Sequence, residues 1–256
     1  MTGRSSLAVR ILGRGRMGAA LSRALSAAGW SAELEAGRGP HVAGAASGVD
    51  LLVLCVPDGA VRQVARAIAP AEGTVLAHTA GALTLSVLEG HGRRASLHPL
   101  VSVPPDPEGA AALSGAFMAV AGDPLIESVA AALGARTFRV SDEHRHTYHA
   151  AAAVAANHLV ALMGQAQRVG ERAGVPPEAL VELAEGALGS VRRRGAAEAL
   201  TGPVARGDWS TVAAHLRSLP PDERPAYEAM ARQALRLAWP TLRAANDQGS
   251  APPWTS

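Results

Sequence analysis

The chain has no lysine: within its 256 residues, all 24 basic side chains are arginines. Schiff-base chemistry, pyridoxal-phosphate attachment and the P-loop lysine are thereby excluded. It has one cysteine, Cys55, so neither an intrachain disulfide nor a C-x-x-C pair can form. No apolar run is long enough to span a bilayer, and no membrane partner is expected. The only tight basic cluster is Arg192-Arg193-Arg194; at a net charge of +2 that is too little for a nucleic-acid footprint. The strand-like Leu7–Leu12 begins so early that no signal peptide is expected, which points to a cytoplasmic protein. What is present is apolar material: 48% of residues are hydrophobic and 18% charged, enough for a real core. The length suits one large domain or two modest ones.

Leu7–Leu12 reads as a buried strand broken only by Arg10. Gly13-Arg14-Gly15-Arg16-Met17-Gly18 follows, and Ala19–Ala28 has helical composition. Strand, G-x-G-x-x-G and helix in this order predict a dinucleotide site. Gly13 makes the tight turn, Gly15 lets a pyrophosphate approach, and Gly18 lets helix and strand pack closely. The helix N-terminus then offers free N–H groups to the phosphates.

Further strands are expected at Ser31–Ala36, Val49–Val56, Thr74–Ala77, Ala95–Leu97, Phe117–Ala121 and Thr137–Val140, with a helix at Ala60–Ala69. This alternation predicts an α/β fold with a doubly wound parallel sheet. Ligands of such sheets sit beyond the carboxyl ends of the strands, where Asp58, His78 and His98 fall. The two histidines are favoured as site residues, with ordinary turn residues as the alternative. At the end of the second strand, Arg38 suits the 2′-phosphate of NADPH, whereas Glu35 would suit the ribose of NADH. NADPH is the favoured cofactor, and Glu35 as a ribose ligand stays open.

Composition shifts after Ser141-Asp142, either of which could cap a helix. Glu143–Ala173 reads as one long alanine-rich helical segment. Pro177–Leu188, Trp209–Ser218 and Pro225–Ala245 suggest further helices. The expected organisation is a dinucleotide-binding domain over 1–141, an all-helical substrate and dimerisation domain over 142–246, and a disordered tail over 247–256. Ala150, Ala153, Ala161 and Gly164 share one face at helical spacing, which would let a second helix approach closely. The histidines His144, His146, His149 and His158 do not have metal-ligand spacing, and no metal is expected. His146, Ala150, Ala153 and Asn157 fall near one line, with His149 at its edge. Asn157 is either a site residue or an asparagine satisfied by a neighbouring helix. Leu200–Asp208 is a polar knot that reads as an interhelix loop capped by Asp208. Alternatively its Arg206, with Thr201 nearby, binds a substrate carboxylate.

Taken together, the glycine loop, Val56-Pro57-Asp58, His78-Thr79-Ala80-Gly81-Ala82, Leu97-His98-Pro99-Leu100, Tyr148–Ala152 with Asn157, and Leu200–Asp208 resemble one family. It is the Rossmann-like oxidoreductases with a C-terminal helical domain of formerly unknown function. Ketopantoate reductase, pyrroline-5-carboxylate reductase and prephenate dehydrogenase belong to the wider group. The resemblance implies an N-terminal NAD(P) domain, a helical domain that often dimerises, and a substrate cleft. It implies that Val56, Pro57, Asp58, His78 and Thr79 join Gly13, Arg14, Gly15, Arg16, Met17, Gly18 and Arg38 around the cofactor. Relatives place a lysine one turn before the asparagine that Asn157 resembles; here that position is Ala153. The expectation is therefore an NADPH-dependent reductase of a small carbonyl or imine, a ketopantoate-like 2-oxo acid being favoured. A prephenate-type or pyrroline-carboxylate-type oxidoreductase and a non-catalytic NADPH sensor are the alternatives. His149, and after it His98, would supply the proton while Asn157 orients the carbonyl. Tyr148 is the weaker candidate, about half a turn off the Asn157 face.

Overall fold

The structure is a computed structural model, and residues 7–105 and 108–245 are described. Seven strands form one sheet: β1 (Ala8–Leu12), β2 (Ser31–Glu35), β3 (Leu51–Leu54), β4 (Val75–His78), β5 (Arg93–Pro99), β6 (Phe117–Gly122) and β7 (Arg136–Arg139). Their order is β2-β1-β3-β4-β5-β6-β7. Helices α1 (Arg16–Ala27), α2 (Asp58–Ala67), α3 (Glu108–Leu113) and α4 (Leu125–Ala132) connect them. Every segment expected to be a strand is one. The exception to parallel pairing is β6, which runs antiparallel to β5. The chain leaves β5 at Pro99 and returns at Phe117 on the same end, where the Leu100 N–H donates to the Phe117 carbonyl at 2.8 Å.

The sheet is buried on both faces, which is why β3 is uniformly apolar. Leu51 and Val53 join one core with Val9, Ile11, Leu21 and Leu97. Leu52 and Leu54 join another with Leu12, Val61, Ala65 and Leu76. Arg10 interrupts β1 without becoming an unpaired charge. Its guanidinium donates to Glu33 at 2.9 Å and to the Ala45 carbonyl at 2.7 Å, and lies 3.3 Å from Glu35.

The helical half differs from its sequence reading: the helix expected over Pro177–Leu188 runs on to Arg194, Pro203–Arg206 within the expected loop is a helical turn, and the long segment is divided. The long helix expected over Glu143–Ala173 is divided into a short turn at Asp142–His144, α5 (Arg145–Ala153), a π-helical turn at Val154–His158, and α6 (Leu159–Glu171). The two glycines within it, Gly164 and Gly170, do not interrupt α6. The small-residue stripe from Ala150 to Gly164 is thus not carried by one continuous α-helix. After α6 come α7 (Pro177–Arg194), α8 (Ala196–Ala199), α9 (Pro203–Arg206), α10 (Trp209–Ser218) and α11 (Arg224–Ala245). By contacts the chain forms two compact units that meet between Asn157 and His158 rather than at the compositional boundary after Ser141. The reason is that Arg145 and Tyr148 bond to β5, tying α5 to the sheet. The second unit has a small core of Val204, Val212 and Ala231, supported by Trp209, Leu216 and Tyr227. Glu223 is held there by Arg168 at 2.6 Å. Among the described residues no helix is long and apolar enough to cross a membrane. The tail expected at 247–256 lies outside the described residues.

Candidate cofactor and active site

The glycine loop joins β1 to α1. A Cβ on Gly13, whose φ is +122°, would lie 2.3 Å from the Cys55 carbonyl oxygen. A Cβ on Gly18 would lie 1.8 Å from the Gly13 carbonyl oxygen. Both glycines are required by packing. Gly15 is not: nothing lies within 4 Å of the Cβ position, and its φ of −75° suits any residue. A glycine with no packing reason, opening onto free space, fits the close approach of a phosphate. Gly15 also caps α1, whose first turn carries no side-chain cap and no acidic residue. Its unpaired N–H groups and positive dipole end are therefore available to an anion.

An open cavity of about 750 Å³ lies along this loop, lined by Gly13, Arg14, Gly15, Gly37, Arg38, Val56 and Pro57 among others. A second, of about 370 Å³, is lined by Gly15, Arg16, Met17, Cys55, Val56, Pro57, Ser102 and Val103. Arg14 and Arg38 are exposed, and neither forms an ion pair among the described residues. Glu35 ends β2, one residue earlier than expected, and its carboxylate is engaged by Arg10 at 3.3 Å and lies 3.7 Å from His41. The cation at this strand end is free and the anion is occupied.

The other residues expected around the cofactor divide. Val56 and Pro57 line both cavities. Asp58 opens α2 on the surface, where its charge complements the helix dipole, and it lines neither cavity. The Thr79 hydroxyl donates to the Leu54 carbonyl at 3.4 Å. Burial pushes the neighbouring Cys55 thiol up to about 12, partly offset by Thr79, so it stays protonated at neutral pH. His78 has no exposed surface, so its ring cannot line an open cavity. It belongs instead to a buried polar cluster.

That cluster gathers at the carboxyl ends of β4 and β5. His78 pairs in register with Ser96, and His98 follows two residues later on the same face of β5. Arg145, from the first turn of α5, is fully buried and donates from Nη2 to Ser96 Oγ at 2.7 Å. Among the described residues its Nε and Nη1 have no hydrogen-bond partner. Tyr148 Oη and His98 Nδ1 share a hydrogen bond of 2.6 Å. The His149 ring lies 6.0 Å from that of His98. Gly81 is where the two rings meet: a Cβ there would lie 2.6 Å from His149 Cδ2 and 2.9 Å from His98 Nε2. Burial, reinforced by the Arg145 charge and by His98, lowers His78 to about 4. Burial, then His149 and Arg145, lowers His98 to about 4. Both imidazoles are neutral at neutral pH. Burial raises Tyr148, with the Arg145 charge opposing. Burial lowers Arg145, partly offset by Asp142, yet a guanidinium stays charged.

His149 is exposed at the edge of this cluster, and Asn157 is exposed within the π-helical turn. A π turn holds about one residue more than an α turn, slipping the helical phase by about 100°. Asn157 is thereby rotated off the line of His146, Ala150 and Ala153 and onto the side of His149. Thr201 and Arg206 belong to the second unit, where Arg206 ends α9 on the surface. Asp208 caps α10 through the Thr211 N–H at 3.1 Å, as the loop reading of that stretch expects. Among the described residues, no three of His, Cys, Asp or Glu converge as metal ligands would. Arg145 and Ser96 were not singled out from sequence, and Gly81 entered only as part of the His78–Ala82 stretch. Two signals pointed to them: Arg145 is four residues before His149 on one helix, and Ser96 is two before His98 on one strand.

Residues 118–234, just under half of the chain, match a domain of unknown function (DUF2520). No curated protein matches the chain in sequence. Among solved structures it is similar to protein TM1727 of Thermotoga maritima, with 23% identity over 92% of this chain and 100% of that one and a TM-score of 0.72. A Bacteroides fragilis protein provisionally described as an NADP oxidoreductase gives 19% identity over 90% and 98%, with a TM-score of 0.73. Plasmodium falciparum pyrroline carboxylate reductase with NADP bound gives 12% over 92% and 100%, with a TM-score of 0.59. At these identities the likeness is one of fold, and at that level the expected resemblance is borne out: an N-terminal Rossmann-like sheet followed by a helical region.

Proposed function

We propose that the protein is an NADPH-dependent reductase of a small carbonyl or imine compound, with a 2-oxo acid the favoured substrate. One observation carries the cofactor assignment. At the end of β2, Arg38 is unpaired beside an open cavity, while Arg10 occupies Glu35. A 2′-phosphate would find a free guanidinium, whereas a ribose diol would compete for an occupied carboxylate. Bound NADPH would supply a hydride. The chain supplies the rest: the α1 N-terminus and Gly15 hold the pyrophosphate, and the partly buried cluster at His98, Tyr148 and His149 supplies a proton. Asn157 orients the substrate's carbonyl.

The likeness to pyrroline carboxylate reductase favours a cyclic imine as second reading. The wider picture is a cytoplasmic homodimer associating through its helical half, because the second unit exposes Val160 and Leu183 at 72% and 70% while burying few residues of its own. The test is NADPH oxidation against a panel of 2-oxo acids and cyclic imines. Turnover of at least one class is expected. Tight NADPH binding without turnover on any compound would replace the reductase reading with a cofactor-binding sensor.

A further inference from the structure

We propose that Tyr148, not a histidine, is the proton-donating residue of the site, with His98 as its hydrogen-bond partner and buried Arg145 as the positioning residue that keeps the pair in its working state. This rests on the reductase reading above, and it changes which atom completes the reaction.

The geometry begins with Arg145. Among the described residues it is the largest fully buried side chain, and its hydrogen bond to Ser96 pins its guanidinium against β5. Two of its nitrogens are left without a partner, a costly arrangement for packing alone. Its charge acts on His78 of β4, His98 of β5 and Tyr148 of α5. His149 adds a second repulsive influence on His98, and Asp142 is the one carboxylate that acts on Arg145. An imidazolium is disfavoured at every buried histidine of this cluster. His98 is therefore a neutral ring with a single N–H, held 2.6 Å from the phenol.

With the one N–H of His98 directed at the phenol oxygen, the Tyr148 hydroxyl is the donor of the pair that can turn its proton to a substrate. When the substrate C=O or C=N accepts a hydride at carbon from the nicotinamide, its π pair moves to the heteroatom, which must take up a proton. Tyr148 Oη gives that proton. The phenolate left behind is stabilised by the Arg145 charge and by an N–H from His98 Nδ1. It regains its proton from Nδ1 while Nε2 takes a replacement from water, and the ring returns to its Nδ1–H tautomer by proton exchange with water before the next turnover. The net balance is one hydride and one solvent proton added to the substrate. His149 borders the pair across Gly81, at the exposed edge where that replacement can enter.

The decisive experiment has two arms on the full-length protein. Imidazole-nitrogen NMR, with and without NADPH, reads the state of His98. Expected are a ring neutral well below neutral pH, its proton on Nδ1, and a partial upward move of its titration in Arg145→Met, burial and His149 still holding it low, that Arg145→Lys reverses. A wild-type His98 that titrates as an ordinary histidine, or carries its proton on Nε2, overturns the proposal without any substrate. The kinetic arm uses any panel compound the wild type reduces. Tyr148→Phe is expected to lower kcat by roughly 10²–10⁴-fold with NADPH affinity unchanged. The wild-type rate is expected to be flat through neutrality, falling only on the alkaline side; in Arg145→Met an acidic limb appears. Unchanged kcat in Tyr148→Phe, or a wild-type rate falling through the ordinary histidine range, also overturns it. If no compound is reduced, the reductase reading falls while the NMR arm still decides the state of the pair.

Discussion

The two units of the chain bury their apolar residues very differently. In the first, both faces of the sheet are closed, and Ile11, Leu12, Leu52 and Leu54 have no exposed surface. In the second, Val204, Val212 and Ala231 form the core, while Val160 and Leu183 are more than two-thirds exposed. Gln165, Met163, Leu180, Tyr227 and Met230 help line an apolar cavity of about 560 Å³ there. The first unit, with both faces of its sheet closed, also holds features that packing does not reward: a glycine with no packing reason, a buried guanidinium with one hydrogen bond to Ser96, a buried neutral histidine. The second has little core to spare, and its exposed apolar face is the one a second copy would cover.

The contrast can be broken first by core substitutions. Leu54→Ala is expected to cost about 2–5 kcal/mol of stability in chemical denaturation, as for a fully buried leucine. Leu183→Asp is expected to leave the sheet intact but shift light-scattering mass from about twice 26.1 kDa toward 26.1 kDa. A wild-type mass near 26.1 kDa across micromolar concentrations would remove the homodimer from the account. The glycine loop gives a second contrast within the first unit. Gly18→Ala is expected to destabilise by about 3 kcal/mol, the upper range for overpacking, because its Cβ meets backbone. Gly15→Val should keep the melting temperature close to wild type and abolish NADPH binding. Equal destabilisation by both would mean that Gly15 also serves packing.

Acid should act on the first unit through His78. Its folded value of about 4 lies below the usual 6.5, so its neutral form is the one folding favours. The stability this contributes is fully present above about pH 6.5 and lost as pH falls toward 4, about 3 kcal/mol in all. Unfolding curves across that window check it, and His78→Asn should reduce the dependence and leave the part that His98 contributes. A smaller effect, about 1.5–3 kcal/mol, is expected on NADPH affinity in Arg38→Ala, with NADH affinity little changed.

Much of the first unit was legible in the sequence because its signals are local. Apolar runs ended by glycine and proline mark the strands, and Gly13, Gly15 and Gly18 sit between strand and helix as a phosphate loop requires. His98 could be placed at a strand end for the same reason. What could not be read depends on partners far along the chain. Arg10 captures Glu35 from another strand, and Arg145 finds Ser96 across 49 positions. The antiparallel β6 follows from how the chain returns after Pro99. The π turn at Val154–His158 leaves no mark in a pattern counted at 3.6 residues per turn, so the face assigned to Asn157 came out rotated. Tyr148 was ranked low for the same reason: its partner is on β5, not on its own helix.

Fluorescence titration of the wild-type protein with NADPH and NADH tests the central claim most directly, namely that the cavity beside Gly15 and Arg38 is a dinucleotide site selective for the 2′-phosphate. NADPH binding at least tenfold tighter than NADH is expected, with that advantage lost in Arg38→Ala. Equal or tighter binding of NADH, or no binding of either, would contradict it.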